Sequence, residues 1–172
     1  VAIMAVFLLY RPVYPTVTVG MDASLKNNGY NTFIAFKTNN TIKKVQYGHF
    51  SVIEYSLDHI PPLSRTDTYL THTSIMIGSV NQSKNHESSI MIGIGTIYGK
   101  IEDKTKKAQN FIWPFRDTYE TMAYSSPMIS IEAEVTSRYF LNAGFGGRFI
   151  YAFKDTQTFL DLYISLGLSF WD

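Results

Sequence analysis

Residues 158–172 read TFLDLYISLGLSFWD. Every second residue from Leu160 gives Leu160, Leu162, Ile164, Leu166, Leu168 and Phe170. Between them lie Asp161, Tyr163, Ser165, Gly167, Ser169 and Trp171. Successive side chains of an extended backbone point to opposite sides, so this alternation describes a strand with one apolar face. That face must meet either a protein core or lipid. Which of the two it meets decides the fold.

The same period of two recurs along the chain. Val17, Val19, Met21, Ala23 and Leu25 alternate with Thr16, Thr18, Gly20, Asp22, Ser24 and Lys26. The Asn28–Gly29 step reads as a hairpin turn. NTFIAFKT is a short strand of mixed pattern, followed by a turn over Asn39–Lys43. A long strand follows, with Val45, Tyr47, Ile53, Tyr55 and Leu57 on one face. Its alternation lapses between His49 and Val52, which predicts a bulge. Pro61 and Pro62 interrupt the pattern, because proline lacks a ladder donor. TYLTHTSIMIGSV and SSIMIGIGTIYGKI resume it around a polar turn over Asn81–Glu87. Residues 102–127 read as the one long loop, a length usually tied to function. MISIEAEVTSRYF, GFGGRFIYAFK and the closing stretch complete eight strand candidates from Thr16 onward. Most are long enough to cross a bilayer as tilted strands, which takes ~9–11 residues.

The bulk numbers narrow the class. A chain of 172 residues fits one domain. Only 17% of residues are charged, below the ~25% of an average soluble domain. The net charge of +1 leaves no electrostatic footprint for nucleic acid. The chain has no cysteine, which removes disulfides and thiolate chemistry. The longest apolar run, Val1–Leu9, is too short for a spanning helix of ~20 residues. Residues 1–15 read as a periplasmic or luminal N-terminal segment, with a signal-peptide remnant as the alternative. Residues 16–172 form a single β-barrel domain.

Two architectures share this pattern. A soluble lipocalin-like barrel turns its apolar face inward around an apolar ligand, and a transmembrane barrel turns it outward. The polar faces here carry Ser, Thr, Gly and Tyr more than Lys and Glu. Their few charges are of mixed sign: Glu132, Glu134 and Asp161 against Arg138, Arg148 and Lys154. That composition predicts a lumen network of paired charges, since an isolated buried charge is very costly. Tyr139, Phe140, Phe145, Phe159, Phe170 and Trp171 lie near strand ends, where membrane barrels carry aromatic girdles. Even strand parity puts both long connections, Asp58–Asp67 and 102–127, at one end. The expected fold is therefore all-β: an antiparallel up-and-down transmembrane β-barrel of eight strands. Leu160, Leu162, Ile164, Leu166, Leu168 and Phe170 are its expected lipid-facing set.

MISIEAEVTSRYFLNAGFGGRFIYAFKDTQTFLDLYISLGLSFWD, residues 128–172, resembles the C-terminal half of a small outer-membrane β-barrel of the OmpA/OmpX type, in the style of Bacteroidota members. Residues 16–102 match by pattern only. The resemblance implies export, residence in the bacterial outer membrane, and insertion by the barrel-assembly machinery. That machinery reads a terminal aromatic, whereas Phe170 here is followed by Trp171 and Asp172. Such a fold does not settle function.

Catalytic chemistry finds little support. His72 and Ser74 share a face, which suggests a lipid hydrolase as a minor alternative. Glu87 pairs near Val80, about six residues or ~20 Å from Ser74, too far to orient a histidine. His49, His59 and His86 lack metal-ligand spacing, and the glycines of IMIGIGTIYGK precede no helix that could hold phosphate. No catalytic residue, metal or cofactor is expected. EDKTKKAQN reads as a solvated loop, or as a contact for lipopolysaccharide phosphates. Phe111, Ile112, Trp113 and Phe115 form an unusually apolar loop patch, a candidate site for other envelope proteins. The expected function is a non-enzymatic outer-membrane barrel, structural or accessory to an envelope complex. Its expected partners are outer-membrane lipid, lipopolysaccharide and the assembly machinery.

Overall fold

A computed structural model describes residues 15–25, 27–55, 63–107 and 119–171. Its strands are β1 (Thr16–Ser24), β2 (Asn28–Lys37), β3 (Thr41–Tyr55), β4 (Leu63–Gln82), β5 (His86–Lys107), β6 (Tyr119–Ser137), β7 (Leu141–Ala152) and β8 (Gln157–Trp171). Each pairs antiparallel with the next, and β8 closes on β1 from Thr16↔Trp171 to Ser24↔Tyr163. The result is a closed, eight-stranded, up-and-down barrel, as the alternation predicts. Closure removes the free sheet edges around its girth.

The alternation maps cleanly onto the two faces. On β8, Leu160, Leu162, Ile164, Leu166, Leu168 and Phe170 are exposed and point outward. Tyr163, Ser165 and Ser169 between them are buried in the lumen. The other strands follow suit: Ile90, Ile92 and Ile94 face out on β5, and Ile131 and Val135 on β6. Asp22, Lys44, Glu132 and Arg148 are buried inside. A soluble lipocalin-like barrel needs the reverse, an apolar lumen under a hydrated exterior, so that alternative does not fit.

The two ends differ. Three-residue turns join β2 to β3, β4 to β5 and β6 to β7 at the turn end. The other four connections lie at the loop end. There β6 continues past its last partner on β7, Met128↔Ala152, up to Tyr119. At ~3.3 Å per residue that extension is about 30 Å. β5 rises beside it through Asp103↔Glu120, and β3 and β4 pair past the end of β2 up to Tyr55↔Leu63, so a blade of these longer strands projects beyond the rim formed by the shorter β1, β2, β7 and β8.

Several boundaries differ from the sequence reading. The expected loop over 102–127 is largely strand, because β5 runs to Lys107 and β6 begins at Tyr119. Ile101, Glu102 and Asp103 pair with Met122, Thr121 and Glu120, which extends the ladder. Only residues 108–118 connect the two, outside the described residues. β4 starts at Leu63, directly after the prolines, rather than near Thr68. The Asn28–Gly29 step lies within β2, where Gly29 packs against Phe50 on β3. The β6–β7 turn falls at 138–140, and Leu141–Gly144 open β7. Gly144 is a lumen position: a Cβ there would press on Thr136 and Ser165. The expected bulge appears as a register shift between Ser51 and Ile53.

Candidate functional site

The lumen is filled in layers. Toward the loop end, Phe50, Leu70, Ile97, Tyr124, Met128, Ile150 and Ala152 form an apolar plug. On the β2–β5 side, Phe33, Ala35, Ile42, Met76, Val80 and Met91 form a second apolar cluster. Both are side chains at inward positions of their strands. The remaining cross-section holds charge.

Arg148 is the centre of that charge. The β6–β7 register sets it opposite Glu132, and the β7–β8 register sets it opposite Asp161. Its Nε donates to Glu132 Oε2 at 2.7 Å, and an Nη donates to Asp22 Oδ2 at 2.7 Å. Asp161 Oδ2 lies 3.9 Å from the other Nη. Lys44 approaches from β3: its Nζ donates to Glu132 Oε1 at 2.5 Å and lies 3.8 Å from both Asp22 and Glu134. Ser165 donates to Glu134 at 2.5 Å. The aromatic rings of Phe33 and Tyr163 stand 4.2 Å from Lys44 Nζ and 4.7 Å from the Arg148 guanidinium. Charges removed from water survive only with such pairing, because desolvating one ion costs several kcal/mol. Below the network, Lys37 pairs with Glu87, which also accepts from Thr136 at 3.1 Å. A cavity bounded by Lys37, Lys44, Glu134 and Ser165 measures ≈ 10 Å³, room for about one water. This is a packed interior, not a pore.

Of the expected network, Glu132, Glu134, Arg148 and Asp161 come together. Arg138 and Lys154 do not, because each lies just past the end of its strand. Arg138 sits in the β6–β7 turn and donates to the Ser83 carbonyl at 3.0 Å. Lys154 belongs to the short 3-10 turn before β8, 5.5 Å from the Tyr124 ring. Asp22 and Lys44 complete the network and were missed as members. Their polar-face positions, opposite Met21 and Val45, were the available signal. Phe159, expected in the girdle, turns inward and packs edge-on against Phe50 at 5.7 Å.

On the outer surface, Tyr30, Tyr47, Tyr69 and Tyr98 are exposed toward the loop end, and Phe36, Phe145 and Phe170 toward the turn end. Phe140 packs edge-on against Phe170 at 5.9 Å. Aromatic rings thus bracket an apolar belt, amphipathic tyrosines at the loop end and phenylalanines at the turn end.

His72 and Ser74 are both buried in the lumen. His72 Nε2 lies 2.8 Å from Asn31 Oδ1, and Ser74 Oγ has no hydrogen-bond partner. The nucleophile–base contact that a hydrolase needs is missing. Glu87 pairs with Gln82, eight residues along β4 from Ser74. Phe111, Ile112, Trp113 and Phe115, the candidate partner patch, lie outside the described residues. No group able to hold a metal ion occurs among the described residues.

An outward apolar belt, aromatic girdles and a charge-filled lumen in eight strands define the fold of the small outer-membrane β-barrels. Solved structures agree. The N-terminal β-barrel domain of Pseudomonas aeruginosa OprF is similar with a TM-score of 0.55 at 11% identity, covering 90% of this chain and 96% of that one. Ail, the attachment invasion locus protein of Yersinia pestis, is similar with a TM-score of 0.51 at 11% identity, covering 90% and 97%. No family model and no curated protein matches the chain.

Proposed function

We propose that the protein is a non-enzymatic barrel of the bacterial outer membrane, serving as a structural or accessory subunit of the cell envelope. The inverted polarity carries this reading: Leu160 to Phe170 face hydrocarbon while Arg148, Lys44, Asp22 and Glu132 neutralise one another inside. A packed lumen transports nothing, so activity resides on surfaces. The belt contacts outer-membrane lipid. The loop-end blade and the 108–118 connection, with Phe111, Ile112, Trp113 and Phe115, are the surface for lipopolysaccharide or other envelope proteins. Insertion would use the barrel-assembly machinery.

The membrane reading is tested by extraction. The protein should purify only in detergent and run faster on gels before boiling than after. A monodisperse detergent-free protein would contradict it. For the subunit role, deletion of residues 108–122 should leave this gel shift intact and abolish co-purification with envelope proteins.

A further inference from the structure

The outer face of the barrel carries a trench of ≈ 1070 Å³, at the top of the ~300–1,000 Å³ range of ligand clefts. Its two walls are neighbouring register rows. Ile34, Val45, Ile75 and Ile94 form the turn-end wall, each paired with the next across β2 to β5. Thr32, Tyr47, Thr73 and Thr96 form the loop-end wall in the same register. Ile75 and Ile94 are the most exposed large apolar side chains among the described residues. Pro127 and Phe153 lie at the β6 end of the trench, and Val19 ends it on β1.

The trench is oblique to the membrane. The register row that leaves Val19 for Ile34 comes round to Thr158 on β8, ten residues from Leu168, the direct partner of Val19. Ten residues at ~3.3 Å against eight strand spacings of ~4.8 Å tilt the strands by about 40°. Thr158 is at the loop end of β8, so the row climbs toward that end as it passes from β1 to β6. Over these strands the climb is ~15 Å, half of a ~30 Å hydrocarbon core. One acyl chain spans that depth.

The loop-end wall carries hydroxyls. Thr73 Oγ1 and Thr96 Oγ1 are 3.1 Å apart. A hydroxyl has one donor and two acceptor lone pairs. One O–H bridges the pair, and the other has no acceptor among the described residues. An O–H without a partner is costly in hydrocarbon. Thr96 lies two residues along β5 below the exposed Tyr98. At ~3.3 Å per residue of tilted strand, Thr96 is ~5 Å deeper than that ring. Tyrosine rings sit at the headgroup level, where the ester groups of a lipid also lie. An oxygen at the depth of Thr96 therefore belongs to the acyl chain itself.

We propose that the trench seats one lipid chain hydroxylated near its headgroup end, the chemistry of the hydroxyacyl chains of lipopolysaccharide, with that hydroxyl bonded to the Thr73–Thr96 pair. The proposal rests on the membrane-spanning reading and assigns a lipid to one part of the belt. The apolar wall takes the chain, the matched depth admits one chain, and the threonine pair selects the hydroxyl.

The probe is a phosphatidylcholine with one chain hydroxylated at its third carbon, mixed in equal amounts with its unhydroxylated twin. Native mass spectrometry of the detergent-purified protein reads which lipid is retained. The hydroxylated lipid should be retained about fivefold over its twin, the ratio that one net hydrogen bond supplies. Thr73→Val combined with Thr96→Val should bring the ratio to one while the heat-dependent gel shift persists. Ile94→Trp, which fills the trench, should release both lipids, and Leu162→Trp on β8 should release neither. Lipopolysaccharide should displace the probe. Equal retention by the unaltered protein, or a preference that survives the double substitution, would overturn the proposal. Failure of lipopolysaccharide to displace the probe would overturn the assigned source. A dimer that Ile94→Trp abolishes would reassign the trench to a second copy of the chain and overturn the lipid assignment. A monodisperse protein without detergent would instead contradict the membrane barrel itself.

Discussion

Arg148 and Glu132 face each other in register across β7 and β6, with Nε and Oε2 2.7 Å apart and both side chains fully buried. Arg148 also holds Asp22 on β1, two strands round the closed barrel. Removing the guanidinium leaves Glu132 and Asp22 to share Lys44 alone in a buried interior. Arg148→Met should therefore destabilise the folded barrel by ~3–5 kcal/mol. Adding Glu132→Leu should recover part of that loss, since a stranded charge disappears. Urea unfolding followed by gel mobility measures both, and the double-mutant cycle should give a coupling well above ~0.5 kcal/mol. Additive costs would contradict the pairing.

The orientation of β8 is testable by depth. Lysine placed at outward positions Leu160, Ile164, Leu168 and Phe170 should cost ~2–4 kcal/mol near the bilayer midplane and ~0–1 near the interfaces. Ile164 should sit near the maximum. A flat profile would contradict an outward apolar belt. Alternation alone makes Ser165→Ala, at a small inward side chain, much less costly than Ile164→Lys. The 2.5 Å bond from Ser165 to Glu134 narrows that gap, because a hydrogen bond to a charged group contributes ~1.5–3 kcal/mol.

The alternation made strand number, closure and facing readable from the residues alone, since a period of two is a local property of each segment. Boundaries were less readable. GFGGRFIYAFK reads as a strand from Gly144, yet β7 already begins at Leu141, and Gly144 and Gly146 face a lumen crowded by Thr136, Ser165 and Tyr163. EDKTKK looks like a loop, yet β5 runs through it to Lys107 and its first residues pair with β6. The charge network was half legible. Glu132, Glu134, Arg148 and Asp161 lie on three consecutive strands, so local pattern groups them. Asp22 and Lys44 join only because the barrel closes, a contact 126 residues apart in the case of Asp22 and Arg148.

Gly146 marks a close approach that the lumen requires. A Cβ at this position would press into the Tyr163 ring, and that ring stacks on Arg148 and Lys44. Gly146→Ala should cost ~1–3 kcal/mol by overpacking. It should also shift the near-ultraviolet spectrum as Tyr163 moves. Gly147→Ala is the control: its Cβ would point outward, 3.4 Å from Leu162 at the nearest, and should cost under ~1 kcal/mol. Equal costs would argue against the packed lumen.

The β7–β8 turn stores strain at two residues that are not glycine. Asp155 adopts φ 58° and ψ 17°, and Thr156 follows at φ 48°. Hairpins with positive φ at both central residues favour Asn-Gly or Asp-Gly, because their twist matches the strands while a side chain is crowded. Aspartate tolerates this region and a β-branched threonine does not. Thr156 is exposed, so no burial offsets its strain. Thr156→Gly should therefore stabilise the barrel by ~0.5–1 kcal/mol despite the added freedom of the unfolded chain. Thr156→Pro should destabilise it, because proline cannot adopt positive φ. Unfolding midpoints of the two variants, compared at constant slope, decide the matter. Destabilisation by glycine would mean that the threonine side chain holds the turn through a contact at the membrane surface.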